Sequence, residues 1–335
     1  MRKIRDRARE VMAGQCRVCP ICDGRACVNE VPGMGSQGTG ASFHNNLYSL
    51  ATHRLAMRCI HDVVEPDTRI SLLGRTLQLP VLAAPMGGVS FNMGGLVTEE
   101  EYVSALLEGC VARGTLGCTG DGAPDFILEA ALPVMERLAG ACIPFIKPWE
   151  SDELTVKLQR VIDHGARIVG IDLDAVGLVT LRKMGRPVAP RPAAALKELI
   201  EQTPAKFILK GIMTVDQARL AVDVGAGAIV VSNHGGRVLD HVPGAAEVLP
   251  AIADAVRGVI TILADGGVRS GEDVLKMLAL GADAVLIGRP FAVAALGGGR
   301  EGVERYVNKI YTELKAAMVL TGTRSASEVT RDILC

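Results

Sequence analysis

The stretch Gly225-Ala226-Gly227-Ala228-Ile229-Val230-Val231-Ser232-Asn233-His234 contains the pattern that decides the fold. A glycine–alanine pair ends a predicted helix, and the aliphatic run after it is continuous, as in a strand buried on both faces of a parallel sheet. The run then ends on polar residues. Gly165-Ala166 and Gly281-Ala282 stand at equivalent places, and Gly114-Thr115 has the same position before another aliphatic run. This recurrence indicates one βα unit used repeatedly.

Eight aliphatic runs of this kind follow one another from residue 81, with helical patterns between them. Eight βα units form either a closed (β/α)8 barrel or an open, doubly wound sheet. Polar residues end nearly every predicted strand, which favours a barrel with its site at that end. The first βα turn, Ala84-Pro85-Met86-Gly87-Gly88, lacks a dinucleotide fingerprint. The predicted fold is therefore an α/β, (β/α)8 TIM barrel with strands at residues 81–86, 115–119, 143–147, 168–174, 207–212, 228–234, 261–265 and 284–289.

The 335 residues are enough for one large domain or two smaller ones. Residues 2–12 and 43–57 show helical patterns, and a hairpin is predicted at residues 69–79. We interpret residues 1–80 as a helical, cysteine-rich N-terminal extension packed on a barrel of residues 81–335, which ends in C-terminal helices. The expected organisation is a single domain overall.

Charge and apolar patterning exclude several classes of protein. Lys and Arg total 36 against 37 Asp and Glu, so no charge excess indicates nucleic acid or an anionic membrane as the partner. The apolar residues 274–296 are interrupted by Asp283, Arg289 and Pro290, and we predict no membrane span. The N-terminus lacks the apolar core of a secretory signal, and nine cysteines then favour a reducing, cytoplasmic location. We also expect a homo-oligomer.

Glycine and arginine follow the last two predicted strands. Asp265-Gly266-Gly267-Val268-Arg269 comes after the seventh strand, and Gly288-Arg289 comes after the eighth. Phosphate commonly binds at these loops of a (β/α)8 barrel, since glycine lets backbone N–H groups come close and arginine adds charge-assisted hydrogen bonds. The pattern predicts a ligand with one phosphate monoester and a flat body. The alternative is a pair of tight turns with surface arginines.

Further polar residues end the fourth, fifth and sixth predicted strands. Lys210 either points into the barrel mouth, where it would stabilise an anionic ring, or extends to solvent. His234 can accept a proton near neutral pH, and Arg237 can hold a carboxylate in a two-pronged grip. Asp172 and Asp174 share a face of their strand. We expect one of these carboxylates to orient His234 and the other to cap a helix or form a salt bridge.

Two motifs precede the barrel. Gly33-Met34-Gly35-Ser36-Gln37-Gly38 matches G-x-G-x-x-G, but no strand precedes it, so we interpret it as a flexible loop that would cover the barrel mouth. Cys16, Cys19, Cys22 and Cys27 form C-x2-C-x2-C-x4-C, and thiolates at this density can bind zinc or an iron–sulfur cluster. Their spacing differs from the ferredoxin run and from paired zinc knuckles. We therefore predict no metal and interpret these residues as reduced thiols in a loop.

Four segments together resemble the FMN-dependent α-hydroxy acid oxidase and dehydrogenase family, which includes glycolate oxidase and lactate oxidase. Residues 232–240 match the signature of that family, and residues 209–212, 264–269 and 286–290 match its flavin motifs in order and spacing. The resemblance is strong from residue 205 to 330 and traceable from residue 60. It implies a divergent member of the family that binds FMN on a (β/α)8 barrel.

The resemblance also implies a role for each matching residue. His234 would be the active-site base and Asp174 its paired carboxylate, while Arg237 would bind the substrate carboxylate. Lys210 would contact the N1–O2 edge of the flavin. The remaining cofactor-binding positions would lie at the flavin ring or at the ribityl phosphate: Pro85, Met86, Gly87, Ser232, Asp265, Gly266, Gly267, Arg269, Gly288 and Arg289.

This sequence departs from the family pattern on the substrate side. Val238 replaces the usual glutamine of the signature, and Lys147 stands where the family carries a substrate-binding tyrosine. Asp172 aligns with a threonine, and Arg182 is the nearest candidate for a second carboxylate-binding arginine. We therefore assign Lys147 and Arg182 to substrate binding together with Arg237.

The predicted function is FMN-dependent oxidation of a 2-hydroxy acid to a 2-oxo acid, with an unknown electron acceptor. One alternative is a flavin barrel with non-redox chemistry, such as type 2 isopentenyl diphosphate isomerase, although the signature at residues 232–237 argues against it. The other is a non-catalytic, redox-sensing flavoprotein that uses the cysteine cluster. That alternative predicts no flavin reduction by any 2-hydroxy acid.

Overall fold

The computed structural model describes residues 1–186 and 188–335 of the chain. Two helices, α1 (Arg2–Val11) and α2 (Ala41–Thr52), precede the hairpin of β1 (Ile70–Leu72) and β2 (Arg75–Leu77), which pair antiparallel. The predicted helix at residues 43–57 is therefore shorter than expected. Residues beyond its end extend along the C-terminus instead, where Leu55 pairs with Leu334.

Eight parallel strands close into a barrel in chain order, and the last strand pairs with the first. They are β3 (Val81–Met86), β4 (Leu116–Thr119), β5 (Cys142–Ile146), β6 (Ile168–Asp172), β7 (Lys206–Ile212), β8 (Ala228–Val231), β9 (Thr261–Ala264) and β10 (Ala284–Ile287). Every residue of β5, β6, β8 and β10 is buried, because the barrel interior covers one face of each strand and helices cover the other. The predicted (β/α)8 TIM barrel is confirmed.

Helices surround the barrel. They are α3 (Val89–Asn92), α4 (Glu99–Ala112), α5 (Phe126–Glu129), α6 (Leu132–Arg137), α7 (Ser151–Asp163), α8 (Val179–Lys183), α9 (Ala193–Gln202), α10 (Val215–Asp223), α11 (Ala245–Val256), α12 (Gly271–Leu280) and α13 (Arg289–Thr321). Two short 3-10 turns, Ala326–Glu328 and Arg331–Ile333, stand where a short C-terminal helix is predicted. Among the described residues, no helix has the length and apolarity needed to cross a membrane.

The N-terminal extension packs directly on the barrel. Helix α1 lies against α13 so closely that a Cβ at Gly297 would collide with the carbonyl oxygen of Ile4. Helix α2 contacts α11 and α12, and Asn46 donates from Nδ2 to Asn233 Oδ1 over 2.7 Å at the end of β8. Both contacts are made by buried backbone or amide groups that depend on a fixed docking geometry.

We propose that residues 1–80 and 81–335 form one folding unit, because these contacts leave α1 and α2 without an independent core. Thermal or urea unfolding followed by far-UV circular dichroism and by Trp149 fluorescence is expected to give one transition with the same midpoint for both probes. Trp149 is buried within the barrel and reports on residues 81–335 alone. A separate early transition in circular dichroism would contradict this organisation.

Candidate active site

A cleft opens at the carboxyl ends of the barrel strands, where a TIM barrel carries its site. The structure places most of the residues predicted from sequence along its walls. These are Pro85, Met86, Gly87, Lys147, Lys210, His234, Arg237, Asp265, Gly266, Gly267, Arg269, Gly288 and Arg289. They come from six different βα connections or strand ends, so the closed barrel brings together residues more than 200 positions apart.

His234 lies just beyond β8 in a left-handed backbone conformation, with φ of 56°. The Oγ of Ser232 accepts a hydrogen bond from its N–H over 3.0 Å, and Asp174 Oδ1 lies 2.8 Å from its Nδ1. The tautomer with its proton on Nδ1 donates to Asp174 Oδ1, while the Lys210 ammonium beside the same nitrogen donates to Asp172 and Asp174. The lone pair of Nε2 is then left for a ligand, and within the described residues Nε2 has no hydrogen-bond partner.

Lys210 lies in a cage of two carboxylates instead of extending to solvent. Its Nζ is 2.8 Å from Asp172 Oδ1, 3.0 Å from Asp174 Oδ2 and 3.0 Å from His234 Nδ1. Burial would raise the pKa of Asp172, but the charges of Lys210, His234 and Lys147 outweigh it and hold that pKa well below its usual range. Burial would likewise lower the pKa of Lys210, and Asp172 and Asp174 raise it above its usual range instead. Lys210 is therefore a cation.

The predicted Lys147 is positioned by a second buried network. Asp121 accepts hydrogen bonds from the N–H of Lys147 over 3.1 Å, from Trp149 Nε1 over 2.5 Å and from Lys157 Nζ over 3.0 Å. This fixes the backbone at the end of β5 and leaves the Nζ of Lys147 3.4 Å from Asp172 Oδ2. Asp172 thus contacts two lysines. It is the aspartate that forms the expected salt bridge, while Asp174 contacts His234.

Asp172, Asp174 and His234 also have the composition of a metal site, since one ligand atom from each lies within 4.8 Å of the others. The ammonium group of Lys210 lies within hydrogen-bonding distance of all three residues. The positive charge that this cluster of acceptors needs is therefore supplied by the protein itself.

Among the described residues, Arg237 and Arg289 are half-buried cations without a carboxylate partner. Arg237 donates from Nη1 to the carbonyls of Gly33 and Gly35 over 2.5 and 3.1 Å, and from Nη2 to Asn92 Oδ1 over 3.2 Å. Arg289 donates to the carbonyl of Met34 over 2.8 Å. Burial lowers the pKa of Arg237 to about 9 and that of Arg289 to about 10, so both stay charged at neutral pH. A partly buried charge without a counterion favours binding of an anion.

The loop predicted to cover the barrel mouth does so. Residues 33–38, the glycine loop, place Met34 in the wall of the cleft with 3% of its surface exposed. The loop is held from the other side by Asp240, whose Oδ2 accepts hydrogen bonds from the N–H and Oγ1 of Thr39. Carbonyl groups of this loop therefore occupy the donors of the two half-buried arginines.

Buried polar atoms without partners mark the opposite end of the cleft. Within the residues described, neither Asp265 Oδ1 nor Arg269 Nε has a hydrogen bond, and burial raises the pKa of Asp265.

Backbone and side chains crowd around neighbouring glycines. A Cβ at Gly235 would lie 2.9 Å from Arg289 Nη1, and one at Gly288 would lie 3.1 Å from Met86 Sδ. This cradle leaves backbone N–H groups and arginine donors close to any group bound there.

Three predicted site residues lie outside the cleft wall. Asp174 and Ser232 are behind it, and they act through His234 and through Asp265, whose Oδ2 accepts from Ser232 Oγ over 2.9 Å. Arg182 is exposed on α8 and donates to the carbonyl of Gly177 over 3.3 Å. Its side chain does not reach the cleft, so the structure does not support the predicted role of Arg182 in substrate binding.

Sequence reasoning missed several residues of the cleft. Asn92 accepts from Arg237 and also from the N–H of Gly33 over 3.3 Å, so it connects the glycine loop to the cationic site. An apolar wall lies across the mouth and consists of Phe91, Ile127, Phe145, Leu178, Leu181 and Met184. Asn92 ends the short helix α3 in the connection after the first barrel strand, and a polar residue at this end of the barrel was the available signal.

The fold and the site together define a (β/α)8 barrel whose cleft holds two arginines beside a histidine–carboxylate pair. The chain belongs to the FMN-dependent dehydrogenase family, whose profile matches residues 33–184 and 188–335. The sequence-based resemblance is thereby confirmed at the level of the family.

Individual relatives and solved structures agree with this family. L-lactate dehydrogenase from Xanthomonas campestris pv. campestris (strain B100) is 57% identical over 128 residues, which are 38% of this chain and 33% of the relative. L-lactate dehydrogenase from Pseudomonas putida (strain F1) is 58% identical over 128 residues, 38% of this chain and 34% of that protein. The match therefore spans about a third of the length of these relatives.

The structural likeness extends over the whole chain. Mandelate oxidase crystallised with (S)-4-hydroxymandelic acid superposes with a TM-score of 0.80 at 28% identity, covering 100% of this chain and 97% of that one. A variant of mandelate oxidase with 2-hydroxy-phenylacetamide also gives a TM-score of 0.80, at 29% identity and the same coverage.

FMN is the cofactor of this family, and the residues present fit it. The phosphate of FMN requires cations and N–H donors, which the unpaired Arg269 Nε, the uncompensated Arg289 and the loop at Gly266 and Gly267 can provide. The strand end at Pro85 lies in the same cleft wall and offers a surface for a flat ring. The donor set of the cleft is therefore that of a phosphate-bearing cofactor.

Proposed function

We propose that this chain oxidises a 2-hydroxy acid to the corresponding 2-oxo acid. FMN, when bound, supplies the two-electron chemistry by taking up the α-hydrogen of the substrate. The observation that carries the proposal is that one cleft holds a histidine Nε2 and a half-buried arginine, which among the described residues have neither a hydrogen-bond partner for the nitrogen nor a carboxylate for the arginine. The histidine can accept the hydroxyl proton of the substrate, and the arginine can bind its carboxylate.

His234 is the proposed base. Its Nε2 takes the hydroxyl proton of the substrate, and the positive charge that then develops on the imidazole is stabilised by Asp174 at 2.8 Å from Nδ1. This is the arrangement of a histidine oriented by a buried carboxylate, in which the carboxylate itself stays ionised. Lys210 holds Asp174 and Asp172 in place through an ion pair with each.

Arg237 is the proposed carboxylate clamp. A substrate carboxylate would replace the neutral carbonyls of Gly33 and Gly35 as acceptors of its Nη1 protons. The exchange is favourable, because an ionised acceptor forms a stronger bond to guanidinium than a neutral one. Lys147, in the same wall, is proposed to add a second positive charge.

We propose that FMN occupies the rest of the cleft. Arg269, Arg289 and the glycines at 266, 267 and 288 would hold the ribityl phosphate, while Pro85, Met86 and Gly87 would contact the ring. Lys210 would face the pyrimidine edge of the flavin, and Asp265 and Ser232 would support the ribityl side. The unpaired Asp265 Oδ1 and Arg269 Nε support this placement.

The apolar wall supports a substrate with an apolar side chain on the hydroxy-bearing carbon. The wall includes Phe91, Ile127 and Leu181, close to the clamp and the base. The names of the similar proteins refer to lactate and mandelate, whose side chains are a methyl and a phenyl group. The electron acceptor is not defined by the residues of the cleft.

Anaerobic mixing of the purified flavoprotein with a panel of 2-hydroxy acids tests the proposal. L-lactate, (S)-mandelate and longer aliphatic 2-hydroxy acids are expected to bleach the flavin absorbance, and the matching acids without the 2-hydroxyl group are expected to bind without bleaching. Release of FMN on denaturation is the accompanying check. Failure of every hydroxy acid to reduce the flavin would overturn the proposed reaction and favour non-redox or sensing chemistry.

Replacement of Arg237 by lysine is expected to weaken binding of substrate and of the transition state together. Lysine keeps the charge but loses the planar fork that grips a carboxylate. KM should rise and kcat should fall, by a few kcal/mol in total in kcat/KM, as steady-state kinetics on the best acid would show. Arg182→Lys is the control, because Arg182 is exposed and bonded only to Gly177. Unchanged kinetics in Arg237→Lys would place the substrate carboxylate elsewhere.

We also propose a cytoplasmic location and a homo-oligomeric state. None of the nine cysteines forms a disulfide, which suits a reducing compartment. Met57, Ile60 and Val64 are exposed apolar side chains within one short segment, which suits an interface between copies. Light scattering during size-exclusion chromatography measures the oligomeric state, and a monomer at micromolar concentration would contradict the second proposal.

A further inference from the structure

Residues 13–32, the cysteine loop, have little secondary structure and few buried apolar side chains to stabilise them. Their described backbone contains one short 3-10 turn, Arg25–Cys27, although loops of this length without secondary structure are uncommon. Only Val18 and Val31 are buried apolar residues of the loop, while Ile21 is 77% exposed. A segment with so small a core usually needs a disulfide or a metal. The four cysteines of the loop are free thiols.

Hydrogen bonds bring the parts of the loop that carry the cysteines together. The N–H of Met34 donates to the carbonyl of Gln15 over 3.1 Å and that of Ser36 donates to the carbonyl of Cys27 over 3.3 Å, so the backbones at Cys16 and Cys27 flank the same short segment. Arg269 donates to the carbonyl of Cys22 over 3.4 Å, and Arg5 donates to that of Cys19. All four side chains are half-buried, in contrast to the fully buried cysteines of the barrel. The sequence cluster is thus also a cluster in space.

Hydrogen-bond donors and a cation lie beside two of the sulfurs. The N–H of Val18 donates to Cys16 Sγ over 3.4 Å, and Arg269 Nη2 lies 3.6 Å from Cys22 Sγ. Arg5 donates to the carbonyl of Val18 over 3.3 Å, and Arg9 donates to the same carbonyl over 3.0 Å. Positive charges and N–H donors stabilise the net negative charge of a centre held by several thiolates.

The distances between the four sulfurs distinguish a zinc site from an iron–sulfur cluster. A tetrahedral zinc ion with four thiolates at about 2.3 Å brings its sulfurs to about 3.8 Å from one another. Among the described residues, no three of these sulfurs lie within 4.8 Å of one another. In a cubane cluster each thiolate binds a separate iron, so the four sulfurs are farther apart. The first two intervals, C-x2-C-x2-C, also equal those of the ferredoxin run, and only the last is different.

We propose that Cys16, Cys19, Cys22 and Cys27 are the ligands of an iron–sulfur cluster of the four-iron type. This replaces the expectation of reduced thiols, which rested on spacing alone. Arg269 places the cluster at the edge of the cleft, because it lines the cleft wall and its Nη2 lies 3.6 Å from Cys22 Sγ. The site does not depend on the proposed hydroxy acid chemistry.

Elemental analysis of anaerobically prepared full-length protein tests the site. After reconstitution with ferrous iron and sulfide, we expect about four iron and four acid-labile sulfide atoms per chain, with an electron paramagnetic resonance signal on reduction by dithionite. Cys22→Ser and Cys27→Ser should lose most of this iron, while Cys59→Ser, an exposed cysteine outside the loop, should keep it. Zinc without sulfide, no bound metal, or iron that survives Cys22→Ser would each overturn the proposal.

Thiol labelling keeps the proposal testable if the serine variants do not fold. In the reconstituted wild-type protein, iodoacetamide followed by peptide mass spectrometry should leave the four loop cysteines unlabelled and should label Cys59 and Cys335, which are exposed. Removal of iron with a chelator should then expose all four to labelling. Equal labelling of the loop cysteines before and after removal of iron would exclude them as ligands.

Discussion

Replacement of His234 by glutamine is expected to slow flavin reduction by about two to four decades while substrate still binds. Glutamine keeps the polarity and approximate size of the side chain but has no nitrogen that can accept the hydroxyl proton. Arg237, the proposed clamp, is held by Gly33, Gly35 and Asn92 and not by His234, so carboxylate binding should persist. Anaerobic stopped-flow absorbance gives the reduction rate, and spectral perturbation of the flavin gives the dissociation constant.

Two further variants separate loss of the base from loss of structure. His234 has a φ of 56°, which asparagine adopts more readily than glutamine does, so His234→Asn should be equally slow but closer to wild-type stability. His241→Gln is the matched control, since His241 follows in the same loop, also has positive φ and is exposed. If His234→Gln reduced the flavin at the wild-type rate, another group would have to be the base.

Most of the barrel could be predicted because its signal is local. A strand buried on both faces must be apolar along its length, and the eight runs therefore matched the eight strands to within a few residues. The largest differences lie at residues 173–174, 232–234 and 288–289, which were included in strands but lie beyond the strand ends. Leu173–Gly177 forms a 3-10 turn, and this turn directs Asp174 towards His234.

The arrangement of the cleft was less predictable, because it depends on contacts between distant segments. Neither motif nor spacing indicates that carbonyls of Gly33 and Gly35 meet Arg237, since these partners are about 200 residues apart and are brought together by the docking of α2. The charge state of Asp172 could not be predicted from sequence either, because it depends on Lys147 at the end of β5 and on Lys210 in β7. The sequence predicted which types of residue form the site. Which of them contact one another depends on the three-dimensional fold.

Replacement of Lys210 by methionine is expected to lower the free energy of unfolding by about 3–5 kcal/mol at pH 7. Methionine has a similar length, so the loss is not one of volume. The cause is that the buried Asp172 and the half-buried Asp174 each lose an ammonium partner at 2.8–3.1 Å. Urea unfolding followed by circular dichroism measures the change. Lys206→Met is the control, because Lys206 begins the same strand but is exposed and bonds only the carbonyl of Leu73.

The pH dependence of this loss identifies its electrostatic origin. In the wild-type protein the pKa of Asp172 is held below its unfolded value, so its ionised form contributes stability that is present above about pH 4 and is lost as pH falls through the folded pKa. Without Lys210 the same buried carboxyl has a higher pKa, so it takes up a proton as the pH falls. The loss of stability caused by the unpaired carboxylate then decreases. The stability difference between wild type and Lys210→Met should therefore be largest near pH 7 and shrink steadily towards pH 4. A difference that is constant over this range would show that packing, and not the unpaired carboxylates, causes the loss.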